Sequence, residues 1–169
     1  MSETPIIIRE FRIGDEMALH SVFISAIHDI ASKDYTPEQI QAWAPASLSP
    51  GIWIKRMRGI CPFVAEFQDK IVAYADVQPN GYIDHFFVSS SVARSGVGTM
   101  LMNHIQATAR NQSIDVLTSR VSRTAQPFFA RFGFVIVEQR VPIIRGVAIP
   151  NALMRCEMTT NPSFKQTSE

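Results

Sequence analysis

The sequence predicts one α+β domain built on a mostly antiparallel sheet, and three observations predict it. Seven short runs rich in apolar and β-branched residues are spread over the chain. Helical patterns, with no further strand, separate the first run from the second. A single passage, from Tyr82 to Val121, has the strand–loop–helix–strand order.

Ile6-Ile7-Ile8 and the following Arg9-Glu10-Phe11 read as the opening strand; Gly14-Asp15 then breaks it and offers a helix cap. From Met17 to Ile30, Leu19, Val22, Phe23, Ala26, Ile27 and Ile30 recur at three- and four-residue steps, so they form one stripe directed to the core. Thr36-Pro37-Glu38-Gln39 is a start signal, with Thr36 as cap, proline at the first helical position and Gln39 closing a capping box; this helix runs through Trp43. Ala44 to Gly51 reads as a loop, followed by a helical turn over Trp53 to Arg58.

Phe63 to Phe67 and Ile71 to Val77, joined by Gln68-Asp69-Lys70, read as a hairpin, and Pro79-Asn80-Gly81 turns the chain into a third strand, Tyr82 to Val88. Val97, Met100, Leu101, His104, Ile105 and Thr108 follow at helical spacing, then Ile114 to Val121 as a strand. Ala125 to Phe132 is a short helix stopped by Gly133, and strands Phe134 to Val141 and Val147 to Met158 complete the domain, residues 1–158. Residues 159–169 read as a polar tail.

Hydrophobic residues make up 46% and charged residues 18%, an ordinary globular balance. Sixteen basic residues are scattered against fifteen acidic ones, with no strip to displace counterions, so nucleic acid is not an expected partner. The apolar run at Pro5 to Ile8 is too short for a secretory core or a membrane span; no membrane association and a cytoplasmic location are expected. Cys61 and Cys156 read as buried thiols, and no metal site is expected from them.

The chemistry concentrates between strand and helix, at Val88-Ser89-Ser90-Ser91-Val92-Ala93-Arg94-Ser95-Gly96-Val97-Gly98-Thr99. Two glycines there let backbone amides approach an anion at a helix N-terminus, and Arg94 can add a full charge. A diphosphate fits such a turn. Neither a dinucleotide fingerprint nor a phosphate-loop lysine is present.

This stretch resembles motif A of the GNAT acetyltransferases: a valine ending the fourth strand, Gln or Arg five residues on, then x-x-Gly-x-Gly or Ala. Val88, Gly96 and Gly98 fall in register. Ala125-Gln126-Pro127-Phe128-Phe129-Ala130-Arg131-Phe132-Gly133-Phe134 resembles a second signature, an Ala-x-x-Phe-Tyr helix closing on Gly-Phe. The similarity extends to the YafP-type bacterial subfamily through Tyr35-Thr36-Pro37-Glu38-Gln39-Ile40, Trp43, Tyr82-Ile83-Asp84 and Arg145-Gly146.

The resemblance implies a mixed, mostly antiparallel sheet of six to seven strands with helices on both faces, and a single-domain N-acetyltransferase using acetyl-CoA. It implies transfer to a small-molecule primary amine by direct attack in a ternary complex. A protein or peptide amine, or a non-catalytic acyl-CoA sensor, is the alternative. Cofactor contacts are expected from Phe87, Val88, Ala93 to Thr99, Phe128 and Phe129, with pantetheine between splayed strands four and five.

An amine of solution pKa near 10 must lose a proton before attack, so a base or water relay is needed. Asp84 is the candidate, although it also reads as a strand-end carboxylate paired with an arginine or a hydroxyl. Alternation puts Tyr82, Asp84, Phe86 and Val88 on one face and His85, with Ile83 and Phe87, on the other, as a core histidine. Phe129 replaces the tyrosine that protonates the thiolate, which leaves water or Tyr82 for that role. Ala93 replaces the usual Gln or Arg. His28, Tyr35 and Trp43 are expected to line the acceptor pocket, and the last hairpin can pair across a homodimer.

Overall fold

The computed structural model describes residues 4–158; the polar tail from Thr159 lies outside them. Strand β1 (Ile7–Glu10) pairs antiparallel with β2 (Phe63–Phe67), which forms a hairpin with β3 (Lys70–Ala75). Gln68 and Asp69 both hold left-handed backbone, φ 50° and 61°, the conformation that a tight hairpin turn demands. Between β1 and β2 lie helices α1 (Glu16–Ser25), α2 (Pro37–Trp43) and α3 (Pro50–Ile60).

The cap expected of Asp15 is not formed. Its carboxylate is taken by the guanidinium of Arg9, at 2.8 and 3.0 Å, and Arg9 also binds Glu66, tying β1 and β2 to the start of α1. Past Ser25 the helix widens into a π-helical stretch, Ala26–Ile30. The box on α2 forms as read: Thr36 accepts from the Gln39 amide and Gln39 from the Thr36 amide. Helix α3 is longer than the turn expected at Trp53 to Arg58. Ser49-Pro50 starts it, Gly51 and Gly59 are tolerated within it, and buried Trp53 and Met57, four apart, anchor it. Cys61, expected to be buried, is exposed at its left-handed C-terminus; Cys156 is buried.

The run Tyr82 to Val88 is not one strand. It is β4 (Tyr82–Ile83), parallel to β6 (Val116–Ser122), and β5 (Phe86–Val88), antiparallel to β3. The cause is Asp76, 1% exposed, whose Oδ1 accepts from the amides of both Asp84 and His85, at 3.1 and 2.6 Å, while Oδ2 accepts from Gln78. One carboxylate thus replaces the ladder partners of two consecutive amides.

The sheet therefore has two four-stranded halves, β1-β2-β3-β5 and β4-β6-β10-β7, with β7 at Val135–Arg140 and β10 at Asn151–Glu157. Helix α4 (Val97–Asn111) connects β5 to β6, and α5 (Gln126–Arg131) precedes β7. A small hairpin, β8 (Ile143–Ile144) and β9 (Val147–Ala148), turns at Arg145-Gly146.

Each sheet face carries a core. Beneath α4 and α5 lie Leu101, Ile105, Leu117, Phe134 and Met154; beneath α1 to α3 lie Leu19, Ile27, Trp53, Met57 and Tyr74. Along β3 the alternation is direct: Ala73 and Ala75 point to the first core and Tyr74 to the second.

Candidate active site

The glycine turn begins on a clamp that the sequence did not show. The Ser90 N–H donates 2.9 Å to Ser25 Oγ, and its hydroxyl donates 2.8 Å to Asp29, fastening the turn to the π-helical end of α1. Arg94 (φ 62°) and Gly96 (φ 89°) then take left-handed backbone and swing the chain into α4 at Val97. The Ser95 amide is spent on Val92 O, whereas the amides of Arg94, Gly96, Val97, Gly98 and Thr99 donate to no protein group among the described residues. Those of the first helical turn have no upstream carbonyl to use. A Cβ on Gly98 would touch the Phe128 ring at 3.4 Å and Val88 at 3.7 Å, so glycine allows the helix to sit close on both.

Because β4 runs with β6 and β5 runs with β3, the two halves of the sheet part beyond Ile83. The flanking bonds Asp76 N–H to His85 O and Ser89 N–H to Val72 O put residues 85, 87 and 89 on the paired side of β5. By alternation the N–H and C=O of Phe86 and Val88 point the other way, into the parting. An unpaired strand edge with its amide at Val88 thus leads directly to the amide-rich turn.

On the opposite face lies a cavity of about 310 Å³. Phe23, Trp43, Phe87 and Ile149 give it an apolar body, and Arg56, Asp84, His85, Arg120 and Arg145 supply charge and polarity. Arg56 donates to both oxygens of Asp84, at 3.1 and 3.3 Å. His85, 6% exposed, has Nδ1 3.0 Å from the Tyr74 hydroxyl and Nε2 3.9 Å from Asp84. Burial lowers the His85 pKa to about 4, with the Asp84 charge opposing, so the ring is neutral at physiological pH. Burial raises Tyr74 well above its usual value and keeps it a phenol.

The expected alternation fails at the strand break. Ile83, Phe86 and Val88 pack in the α4–α5 core, while Asp84, His85 and Phe87 all line the cavity. His85 thus stands beside Asp84 at the cavity wall. Tyr35 and Trp43 line the cavity, ring centroids 5.5 Å apart; the Tyr35 hydroxyl donates to Pro150 O and accepts from the Arg123 amide. His28 does not reach it. Its Nε2 is 2.9 Å from Ala44 O, and it borders a separate surface hollow with His20 and Asp29.

Tyr82 does not line the cavity. Phe129, 2% exposed, is sealed edge-on between Phe86 and Phe134, so of the three phenylalanines read as cofactor contacts Phe128, half-buried against Gly98, has surface to offer on this side, while the Phe87 side chain turns to the opposite cavity. Sequence reasoning missed Asp76, Arg56 and Arg120. The one local signal was an acid placed directly after an apolar strand and before Pro79-Asn80-Gly81. Among the described residues no group of three or more His, Cys, Asp or Glu side chains is placed to hold a metal ion, and no helix is long and apolar enough to cross a membrane.

Comparison with known proteins agrees with this geometry. Residues 31–146 match the family described as Acetyltransferase (GNAT) domain. The chain is 32% identical over 148 residues to the uncharacterized N-acetyltransferase YafP of Escherichia coli K12, covering 88% of this chain and 93% of that protein. A GCN5-related N-acetyltransferase structure from Rhodopseudomonas palustris superposes with TM-score 0.86 at 25% identity, over 93% of this chain and 98% of that one. PaiA N-acetyltransferase from Thermoplasma acidophilum, solved with coenzyme A, shares the fold with TM-score 0.67 at 16% identity, over 90% and 99% of the two chains. With its parted sheet, its amide-rich turn and these relatives, the chain belongs to the GNAT family of N-acetyltransferases.

Proposed function

We propose that the protein transfers an acetyl group from acetyl-CoA to the primary amine of a small molecule, by direct attack while both are bound. The observation that carries this is the division of labour across β5. One face of the strand turns Phe87 to the cavity, with Asp84 and His85 beside it, and its unpaired edge presents the Val88 amide next to the turn Arg94 to Thr99. The diphosphate of CoA rests on the turn amides, where the helix end favours an anion. The Val88 amide donates to pantetheine or to the thioester oxygen as negative charge grows there.

In the step itself the amine nitrogen forms a bond to the thioester carbon, the carbon–sulfur bond breaks, and the sulfur keeps its electron pair. The amine proton passes to Asp84, directly or through one water. Phe129 has no proton to give, so the thiolate, with basicity near that of a free thiol (pKa about 8.5), takes its proton from solvent, to which Asp84 returns the one it received from the amine. A volume of about 310 Å³ suits a small acceptor better than a folded protein chain.

Release of CoA thiol across an amine panel tests the reading. Transfer is expected with at least one small amine, and Asp84→Asn is expected to reduce turnover about 10²-fold or more while the affinity for CoA stays within a factor of about two. A protein that binds CoA yet releases no thiol with any amine is a binding module. An unchanged pH–rate profile in Asp84→Asn would remove Asp84 as the base.

A further inference from the structure

We infer that the acceptor carries a carboxylate as well as its amine, joined by an apolar body, so that the substrate class is an apolar amino acid or a close analogue. This rests on the cavity being the acceptor site. The charges on its walls do not balance: three guanidinium groups, Arg56, Arg120 and Arg145, face one carboxylate, Asp84. Arg56 and Asp84 compensate each other through their paired hydrogen bonds. Two positive charges are left over.

Each of the remaining arginines is directed by the fold. On β6, Leu117, Ser119 and Val121 are buried, which sends Thr118, Arg120 and Ser122 to the opposite face, and Arg120 and Ser122 are on the cavity wall. Arg120 makes no hydrogen bond or ion pair among the described residues. Arg145 sits at the tip of the β8–β9 turn with left-handed backbone, φ 48°, and one of its nitrogens donates 2.7 Å to Ala42 O. That bond holds the planar group over the cavity with its other donors unspent.

A simple ammonium or a polyamine entering this cavity meets net positive charge and brings nothing to offset it. An amino acid brings the oxyanion that two guanidinium groups bind well. Its side chain lies against Phe23, Trp43, Phe87 and Ile149, and its amine is left for the Asp84 end.

The experiment is calorimetric titration, at saturating CoA, of L-leucine, L-phenylalanine and L-tryptophan, each against its primary amide and its decarboxylated amine. At least one amino acid is expected to bind about tenfold or more tightly than both counterparts, the size of effect a charged hydrogen-bonded contact gives. That preference is expected to fall severalfold in Arg120→Gln and in Arg145→Gln, with CoA binding as the sign that each variant is folded. Amides and amines binding as tightly as the acids, no acid binding at all, or a preference intact in both variants would each overturn the inference. Thiol release is followed in parallel. Acid-selective binding without thiol release would defeat the transferase reading and leave this one standing; equal transfer to amines lacking a carboxylate would do the reverse.

Discussion

His85 shows what burial does to one titratable group. Enclosed by Tyr74, Phe23, Trp53 and Phe87, and facing Asp84 with Arg56 beyond it, it has a pKa lowered from 6.5 to about 4. The folded state therefore holds the neutral ring while the unfolded chain binds a proton below pH 6.5, so this contribution to stability is lost as pH falls from about 6.5 to about 4. Roughly 2 to 3 kcal/mol is expected to go between pH 7.5 and 4.5. Asp76, whose raised pKa acts in the opposite sense, is a reason to read the effect as a difference between proteins. Urea unfolding at both pH values is expected to show that much extra acid loss in the wild type relative to His85→Gln, and equal losses in the two would contradict the burial argument. The presence of a histidine was legible in the sequence. So was its place in a core with Phe87; what was not legible is that Asp84 joins it at the cavity wall, since alternation holds only in an unbroken strand.

Among the elements, the ones read correctly are those whose cause is local. Thr36, Pro37 and Gln39 lie within four residues and specify the start of α2 without help. The break between β4 and β5 has a distant cause, because Asp76 is eight and nine residues before the amides it binds, and every residue around the break is compatible with an extended strand. Arg56, Arg120 and Arg145 converge from a helix, a strand and a hairpin, so only the assembled fold shows them as one group. Asp76→Ala leaves two enclosed amides unpaired, at about 1–3 kcal/mol each. A stability loss of about 3 kcal/mol in chemical denaturation is expected, with acetyl transfer falling further than CoA affinity as Asp84 and His85 lose their footing. A variant with wild-type stability would show that the break is set by something other than this carboxylate.

At the scale of the whole molecule, two cores share one sheet. The strands that bury Leu19 on one face bury Leu101 on the other, both 0% exposed. Leu19→Ala and Leu101→Ala are each expected to remove about 2–5 kcal/mol and to shift a single unfolding transition seen alike by tryptophan fluorescence and circular dichroism. Separate transitions would mean that the faces unfold independently. The same arrangement has a consequence for how the family diversifies. On the function proposed above, the donor side would use main-chain groups of β5 and the start of α4, which side-chain replacement leaves largely in place, whereas the acceptor side would use side chains, from α2, α3, β6, the β8–β9 hairpin and the stretch Asp84 to Phe87. Substitutions in those walls can exchange one recipient for another while the thioester is still presented at the same spot. The kink at Asp76 is thus a boundary between a platform of main-chain groups and a wall of exchangeable side chains.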